Sequence, residues 1–305
     1  MTNLVHLTPL DPQYPSRLRG FEHAPASITV KGGSTEAAVV VAVVGSRKPL
    51  EAARVYAGKL AVALTKAGAV VVSGGALGID GAAHTGAQEA GGRTWVVAPT
   101  GHERCFPPEH KGLFARIGRG PGVMIWPFAP SRPPQTSSFH ARNRVLVALA
   151  DAVVVVQAGP HSGALHAASW ARKLRKPLWV VPVPPWIKGF DGSLRLLAEG
   201  AQSLTSTHAF LEWLGPAARG NRVADASQPG RPLAARQGEP GHFASNHEFK
   251  LLGAISTAPR HADAISASAG MSPQATTAAL LTLALENVVV EGPPGFFRRR
   301  EAHNR

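Results

Sequence analysis

The sequence predicts an α/β protein, with a Rossmann-like parallel sheet domain followed by a small C-terminal winged-helix domain. Two observations predict the first domain: short apolar runs alternate with helical patterns, and small residues follow several of the runs. Continuous apolar strands between helices are typical of a parallel sheet covered on both faces. A third observation, helical patterns followed by two strand patterns at the end of the chain, predicts the second domain. The 305 residues suffice for both domains.

Six apolar runs mark the strands of the first domain, and five helical patterns separate them. The runs are Val39–Val44, Val70–Val72, Thr94–Ala98, Val123–Trp126, Ala152–Gln157 and Leu178–Val183. The helical patterns are Glu51–Ala67, Ile79–Ala90, Glu109–Ile117, Ser138–Leu149 and Gly163–Leu174. Right-handed crossovers between such strands give a Rossmann-like layout. We expect this domain to span residues 37–214, after a lead-in segment at residues 1–36.

The last third of the chain contains a segment rich in glycine and proline, followed by a segment with regular helix and strand patterns. Residues 215–246 are interrupted by glycine and proline, which predicts a flexible linker. Residues 247–300 are expected to form the winged-helix domain. Its predicted helices are Glu248–Ile255, Ala262–Ala269 and Pro273–Leu285, and its two wing strands are residues 288–291 and 296–298. The third helix has no basic residue, so the sequence leaves open whether this domain contacts DNA or protein.

The composition indicates a globular protein in a reducing compartment. Its apolar runs are far shorter than the ~20 residues that span a bilayer, and its first residues lack the pattern of a signal peptide. The single cysteine, Cys105, excludes an internal disulfide and a cysteine-rich zinc site. We therefore expect a cytoplasmic protein without membrane contact, metal or other cofactor.

The net charge of +13 indicates a polyanionic partner. Residues 37–214 carry 19 Lys or Arg against nine Asp or Glu, so the excess lies in the α/β segment and not in a tail. An alternative interpretation is that these side chains only coat exposed helix faces for solubility. The arginines that fall at strand and helix ends favour the first interpretation.

Turns containing glycine and serine follow three of the predicted strands. They are Gly45-Ser46-Arg47, Ser73-Gly74-Gly75 and the turn ending in Ser162-Gly163. The carboxyl ends of parallel strands are where α/β sheets bind ligands, and small residues let backbone amides approach an anion. These turns therefore predict a phosphate-binding edge, although the third turn fits packing alone equally well.

A fourth cluster lies at the start of the predicted helix Ser138–Leu149, where Phe139 precedes Arg142, Asn143 and Arg144. Helix starts favour anions, and an aromatic ring can stack on an unpaired base. The alternative is that Phe139 fills the core and Arg142 pairs with a carboxylate.

Two further polar residues follow the second turn. Asp80 lies near the start of a predicted helix, so we interpret it as a helix cap. His84 lies on the same helix, and we interpret it as a packing residue rather than a ligand contact.

Patterns that carry catalysis are missing from the sequence. It contains no P-loop, no HExxH and no G-x-S-x-G elbow, and no G-x-G-x-x-G follows the first strand. We therefore assign no catalytic residue and expect a binding protein rather than an enzyme. The lone Cys105 has His102 nearby, which is more readily explained by chance than by a nucleophile and its base.

The motifs, taken in order, resemble those of the DprA/Smf family, the DNA-processing proteins of natural transformation. The resemblance also covers Leu10–Pro15, Phe106–Glu109 and Val180–Pro182. It implies a Rossmann-like domain followed by a DprA-type winged helix. It further implies a protein that binds single-stranded DNA without catalysis, forms a homodimer through the Rossmann-like domain and loads the recombinase RecA.

The resemblance places the single-stranded DNA site at twelve residues. They are Gly45, Ser46, Arg47, Ser73, Gly74, Gly75, Phe139, Arg142, Asn143, Arg144, Ser162 and Gly163. The chain departs from the family pattern at three places. Leu77 replaces a basic residue of the second turn, Gln157 replaces an acidic residue after the fifth strand, and Phe139-His140-Ala141 stands where Phe-Pro precedes the Arg-Asn-Arg motif.

A rival interpretation is a nucleotide-processing enzyme, since the pattern is also similar to that of the cytokinin-activating phosphoribohydrolases. Those enzymes place a Pro-Gly-Gly-x-Gly-Thr turn and a downstream glutamate beside a phosphate. The corresponding turn here is Gly159–Gly163, and the helix after it has no acidic residue. This difference favours the DNA-binding protein.

Overall fold

The structure, a computed structural model, describes residues 4–184, 186–215, 251, 254–256, 258–285, 289–292 and 296–299. The chain divides into two compact units, residues 1–225 and 226–305. Apart from Gly215, the predicted linker at residues 215–246 lies outside the described residues. Among the residues described, no helix combines the length and the apolar character needed to cross a membrane.

The first unit is built around a nine-stranded sheet. Its strands are β1 (Val5–Leu7), β2 (Ile28–Gly32), β3 (Val40–Val44), β4 (Val70–Ser73), β5 (Thr94–Val97), β6 (Val123–Trp126), β7 (Ala152–Val155), β8 (Leu178–Val180) and β9 (Gln202–Ser203). They are arranged in the order β1-β2-β6-β5-β4-β3-β7-β8-β9. Strands β3 to β9 are parallel, and each of the six predicted runs overlaps one of them.

The sheet is mostly parallel, as predicted for a Rossmann-like domain, and it is extended at one edge by antiparallel strands. The lead-in segment supplies two antiparallel edge strands, because β2 pairs antiparallel with β6 and β1 pairs antiparallel with β2. Neither strand could be predicted from a continuous apolar run in the sequence. Strand β1 is short and exposed at two of its three residues, and β2 contains the polar residues Thr29 and Lys31.

Seven α-helices accompany this sheet within the described part of residues 4–215. They are α1 (Glu51–Lys66), α2 (Ile79–Glu89), α3 (Lys111–Arg119), α4 (Thr136–Leu149), α5 (Gly163–Lys173), α6 (Asp191–Ala198) and α7 (Thr207–Leu214). Val41 and Val43 pack with helices α1, α2 and α7, while Ala42 and Val44 pack with α4 and α5. Because successive side chains point to opposite faces of a sheet, β3 must be apolar throughout.

The order of the strands reverses at β3, and this reversal positions the candidate site. Strands β4, β5 and β6 follow on one side of β3, and β7, β8 and β9 follow on the other. In open α/β sheets, ligands bind in the crevice beyond the carboxyl ends of the strands at such a reversal. The loops after β3 and β7 meet there, because the amide of Ser46 donates to the carbonyl of Gln157 at 2.7 Å.

The second unit combines helices α8 (Ala262–Ala269) and α9 (Pro273–Leu285) with a three-stranded sheet. The strands β10 (Arg260–His261), β11 (Val289–Glu291) and β12 (Phe296–Arg299) lie in the order β10-β12-β11. Gly270 adopts a left-handed conformation that ends α8. This arrangement agrees with the predicted winged helix, and β10 is an additional strand. Most of the predicted helix Glu248–Ile255, residue 288 of the first wing strand and residues 293–295 of the loop lie outside the described residues.

Candidate functional site

The turn after β3 presents Arg47 to solvent. Its first residue, Gly45, packs so closely on α2 that a β-carbon there would lie 2.6 Å from Cγ1 of Ile79. The hydroxyl of Ser46 accepts a hydrogen bond from the amide of Lys48 at 3.1 Å. The backbone is thereby fixed, while the side chains of Arg47 and Lys48 remain exposed. Two positive charges are therefore free to meet an anion at this corner of the sheet.

Gln157, one of the three departures from the family pattern, ties the end of β7 to this turn. Its side-chain Oε1 accepts a hydrogen bond from the amide of Leu50 at 2.8 Å. Its own carbonyl accepts from Ser46. The residue is 2% exposed, so its amide side chain supports the turn from inside the protein and does not face a ligand.

Arg47 and Phe139 are brought together across the edge of the sheet. The guanidinium carbon of Arg47 lies 4.6 Å from the centroid of the Phe139 ring, within the range of a cation–π interaction. Phe106 packs its ring edge-on against Phe139, with centroids 5.5 Å apart. Phe139 is half-buried rather than part of the core. The pair thus offers a positive charge and an aromatic surface next to each other.

The turn after β4 faces an anion that belongs to the protein itself. The carboxylate of Asp80 accepts hydrogen bonds from the amides of Gly74 and Ala76, at 3.1 and 3.3 Å. Asp80 therefore binds the turn that precedes its helix, which corrects its interpretation as a helix cap. Burial raises the pKa of the Asp80 carboxyl, whereas the charge of Arg142 and the two amide hydrogen bonds lower it.

Ser73 and Gly75 line the interior side of the same turn. The hydroxyl of Ser73 is fully buried and donates to the carbonyl of Val43 at 2.6 Å. Gly75 has a φ of 71°, and a β-carbon there would lie 2.7 Å from Cζ of Phe114. Both residues therefore support the floor of the candidate site and are not at its surface.

Arg142 lies beneath the second turn and is only 4% exposed. Its Nη1 donates to the carbonyl of Val97 at 2.8 Å. Burial lowers the pKa of Arg142 to about 10, although the neighbouring charge of Asp80 acts in the opposite direction. Arg142 is therefore still protonated near neutral pH, and the structure places its charge inside the protein.

Asn143, the second residue of the Arg-Asn-Arg motif, contacts the turn before α5. The side-chain amide of Asn143 donates to the carbonyl of Gly163 at 3.1 Å, which ties α4 to the start of α5. The hydroxyl of Ser162 accepts from the amide of Ala164 and caps that helix. Gly163 is exposed and has open space around its α-carbon. Arg144 is half-buried.

His84 is buried between the helix and the sheet, in agreement with its interpretation as a packing residue. Its Nδ1 lies 2.7 Å from the hydroxyl of Thr94, which itself donates to the carbonyl of Val71. Nδ1 must therefore carry the proton. Burial, together with the charges of His110 and Arg142, lowers the pKa of His84 to about 3.

The twelve predicted residues thus fall into two groups. Five are buried and support the site: Ser73, Gly74, Gly75, Arg142 and Asn143. Seven are at least partly accessible: Gly45, Ser46, Arg47, Phe139, Arg144, Ser162 and Gly163. Lys48 and Phe106 are not among the twelve predicted residues, although Lys48 follows Arg47 in the sequence and Phe106 contacts Phe139. Within the described residues, no group of three or more His, Cys, Asp or Glu side chains could hold a metal ion.

Comparison with protein-family models gives two matches. Residues 5–215 match the model of DNA recombination-mediator protein A, and residues 234–295 match the DprA winged helix domain. The chain is 33% identical to protein Smf of Synechocystis over 70% of its length and 54% of that protein. It is 34% identical to a putative DNA processing protein DprA of Mycobacterium tuberculosis over 74% of its length and 61% of that protein. The chain therefore matches little more than half the length of these curated relatives.

Two solved structures resemble this chain. DNA processing protein A from Helicobacter pylori, studied for its single-stranded DNA binding mode, is 29% identical with a TM-score of 0.64, over 70% of this chain and 96% of its own. DprA from Streptococcus pneumoniae is 31% identical with the same TM-score of 0.64, over 69% of this chain and 74% of its own. With a family model that spans more than half of its residues, the chain belongs to the DprA/Smf family of DNA-processing proteins.

Proposed function

We propose that this protein binds single-stranded DNA at the carboxyl edge of its sheet, with Arg47 and Phe139 at the centre of the contact. One observation carries the proposal: an exposed guanidinium lies 4.6 Å from a half-buried aromatic ring at the reversal of the strand order. A guanidinium recognises phosphate, and an aromatic face accepts an unpaired base. The relative from Helicobacter pylori, described by its single-stranded DNA binding mode, supports this assignment.

The buried residues of the motif serve this site as positioning residues. Asp80 holds the amides of Gly74 and Ala76, so those amides are already satisfied by an internal carboxylate. The phosphates of the DNA are instead met by the accessible charges of Arg47, Lys48 and Arg144. Because charge and stacking do not read the edges of bases, sequence preference should be slight.

A binding function fits the site better than cleavage of nucleotides. The turn that corresponds to the phosphoribohydrolase motif opens α5, whose residues Gly163–Lys173 include no Asp or Glu. No carboxylate of that helix is therefore available to assist the departure of a base. The protein should leave nucleoside monophosphates intact, with no free base released on prolonged incubation.

The proposal is tested by fluorescence anisotropy of labelled oligothymidine in a salt titration. Arg47→Ala should weaken binding and reduce the slope of log K against log salt by about 0.7, the value for one phosphate of a single strand. Phe139→Ala should weaken binding by about 1–3 kcal/mol with an unchanged slope. Lys66→Ala removes an exposed charge at the C-terminal end of α1 and is the matched control. Equal affinity of wild type, Arg47→Ala and Phe139→Ala would contradict the proposal.

Family membership extends the proposal to partners. We expect a homodimer formed through the sheet domain and delivery of RecA to the bound single strand, in a cytoplasmic protein of DNA recombination. The exposed side of α7 is a suitable dimer surface, because Trp213 is 38% exposed while it packs on Trp179 and Phe210. Light scattering will report the oligomeric state, and the rate of RecA filament assembly on single-stranded DNA will report loading.

A further inference from the structure

Trp186 is the second most exposed of the large apolar side chains that the structure describes in this fold. Its side chain is 77% exposed, and it lies in the loop that leads from β8 to α6. The neighbouring Lys188 is also exposed. Exposed large apolar residues are informative when they adjoin a binding surface, because water solvates an indole poorly and a planar partner would cover it.

The end of the loop that carries Trp186 and the start of α6 are held against the turn before α5. The hydroxyl of Ser193 accepts from the amide of Ala158 at 2.9 Å, and the amide of Ser193 donates to the carbonyl of Ala158 at 3.0 Å. A β-carbon on Gly159 would lie 3.0 Å from the carbonyl oxygen of Gly189. The loop therefore adjoins the turn that contains Ser162 and Gly163, both of which belong to the candidate site.

The topology places this loop on the same edge as Arg47. Strand β8 is parallel to β7, and β7 is parallel to β3, so the loops that follow all three strands leave the sheet at one edge. Neighbouring strands are ~4.8 Å apart, which puts the ends of β3 and β8 about 10 Å from each other. A single strand that crosses Arg47 and continues away from the second turn would pass the turn after β7 and then reach the β8 loop.

We propose that Trp186 and Lys188 form a second contact for the same single strand. The indole of Trp186 stacks on an unpaired base, and the ammonium of Lys188 neutralises a phosphate beside it. This inference rests on the proposed single-stranded DNA binding and adds a subsite on the β8 side of the edge. The combination of an aromatic platform with a cation is the one that sequence-tolerant single-strand binding uses.

The test measures anisotropy with oligothymidines from about 4 to about 16 nucleotides long, the usual range of site sizes. With the longest oligonucleotide, Trp186→Ala should weaken binding about five- to tenfold, a loss at the lower end of the range for stacking. With the shortest oligonucleotide, Trp186→Ala should not change the affinity, because a strand of this length occupies the Arg47 contact without reaching Trp186. Lys188→Ala should lower the salt slope by about 0.7, whereas the control Lys66→Ala should not.

Two further variants separate stacking from simple apolar contact. Trp186→Phe keeps a planar ring and should bind nearly as well as wild type, whereas Trp186→Leu keeps apolar area only and should resemble Trp186→Ala. Because the side chain is so exposed, none of these variants should change the melting temperature. If wild type binds and Arg47→Ala weakens it while Trp186→Ala and Lys188→Ala do not, the second contact is overturned and the proposed function stands. If wild type does not bind at all, the proposed function itself fails.

Discussion

The guanidinium of Arg142 packs directly against the α-carbon of Gly74, in the space that a β-carbon at residue 74 would fill. Two motifs that are far apart in the sequence, the second glycine turn and the Arg-Asn-Arg motif, therefore form one buried unit. Asp80 completes it by accepting the hydrogen bond of the Gly74 amide. Gly74 is therefore needed to make room for the side chain of Arg142. The anion that accepts the hydrogen bond of its amide is the carboxylate of Asp80 and not a ligand.

Replacing Gly74 with alanine should destabilise the fold. The added methyl group would displace Arg142 and strain its hydrogen bond to Val97, and overpacking of this kind typically costs about 1–3 kcal/mol. Urea unfolding followed by circular dichroism will measure the loss. Gly163→Ala is the control, because a β-carbon there meets nothing within 4 Å and alanine favours a helix over glycine. Equal stability of Gly74→Ala and wild type would show that Arg142 can move aside freely.

Arg142→Ala and Arg47→Ala should differ in stability although both remove an arginine from the predicted site. Loss of the buried Arg142 removes its hydrogen bond to Val97 and leaves the buried Asp80 without its neighbouring positive charge, and an uncompensated buried charge costs about 3–5 kcal/mol. Arg47 is exposed, so its removal should change the free energy of unfolding by no more than about 0.5 kcal/mol. The comparison needs chemical denaturation of both variants. A stable Arg142→Ala variant that has lost DNA affinity would identify Arg142 as a direct contact instead.

Protonation of His84 should destabilise the protein as the pH falls. The folded-state pKa is about 3, below the ordinary value near 6.5, so the unfolded chain binds the proton first. The stabilising contribution is complete above pH ~6.5 and is lost progressively toward pH ~3, reaching a loss of about 2 kcal/mol at pH ~5. Unfolding of wild type and His84→Gln across this range will isolate the effect. His208→Gln, at an exposed position, should follow wild type, and a parallel curve for His84→Gln would contradict the assignment.

The sequence predicted the positions of this site better than the exposure of its residues. Continuous apolar runs located every central strand, and the turns after β3 and β4 together with the start of α4 lie where parallel strands end. Burial could not be predicted in the same way. An arginine in a sequence is normally interpreted as a surface charge. Only the packing of the folded chain shows that the guanidinium of Arg142 lies against Gly74. Likewise, the role of Asp80 depends on a turn that closes back onto the helix, which residue spacing does not specify. Trp186 could not be predicted as a site residue from the sequence, because only its exposure in the folded chain distinguishes it from other tryptophans.

Restoring a basic residue in the second turn should strengthen the binding of single-stranded DNA. Leu77 stands where the family usually has that residue, and it is 38% exposed. The turn is adjacent to Arg47, since a β-carbon on the neighbouring Gly78 would lie 2.8 Å from the carbonyl oxygen of Arg47. Leu77→Lys should therefore add one phosphate contact and steepen the salt slope by about 0.7.

The salt dependence is what distinguishes this added contact from other effects of Leu77→Lys. A slope change of about 0.7 means that the advantage over wild type shrinks about threefold between about 50 mM and about 200 mM salt. Leu77→Gln is the matched control, because it removes the same apolar side chain without adding charge and should keep the wild-type slope. If Leu77→Lys binds more tightly with no change in slope, the lysine does not reach a phosphate. If neither variant differs from wild type at any salt concentration, the single strand does not approach the second turn in this protein.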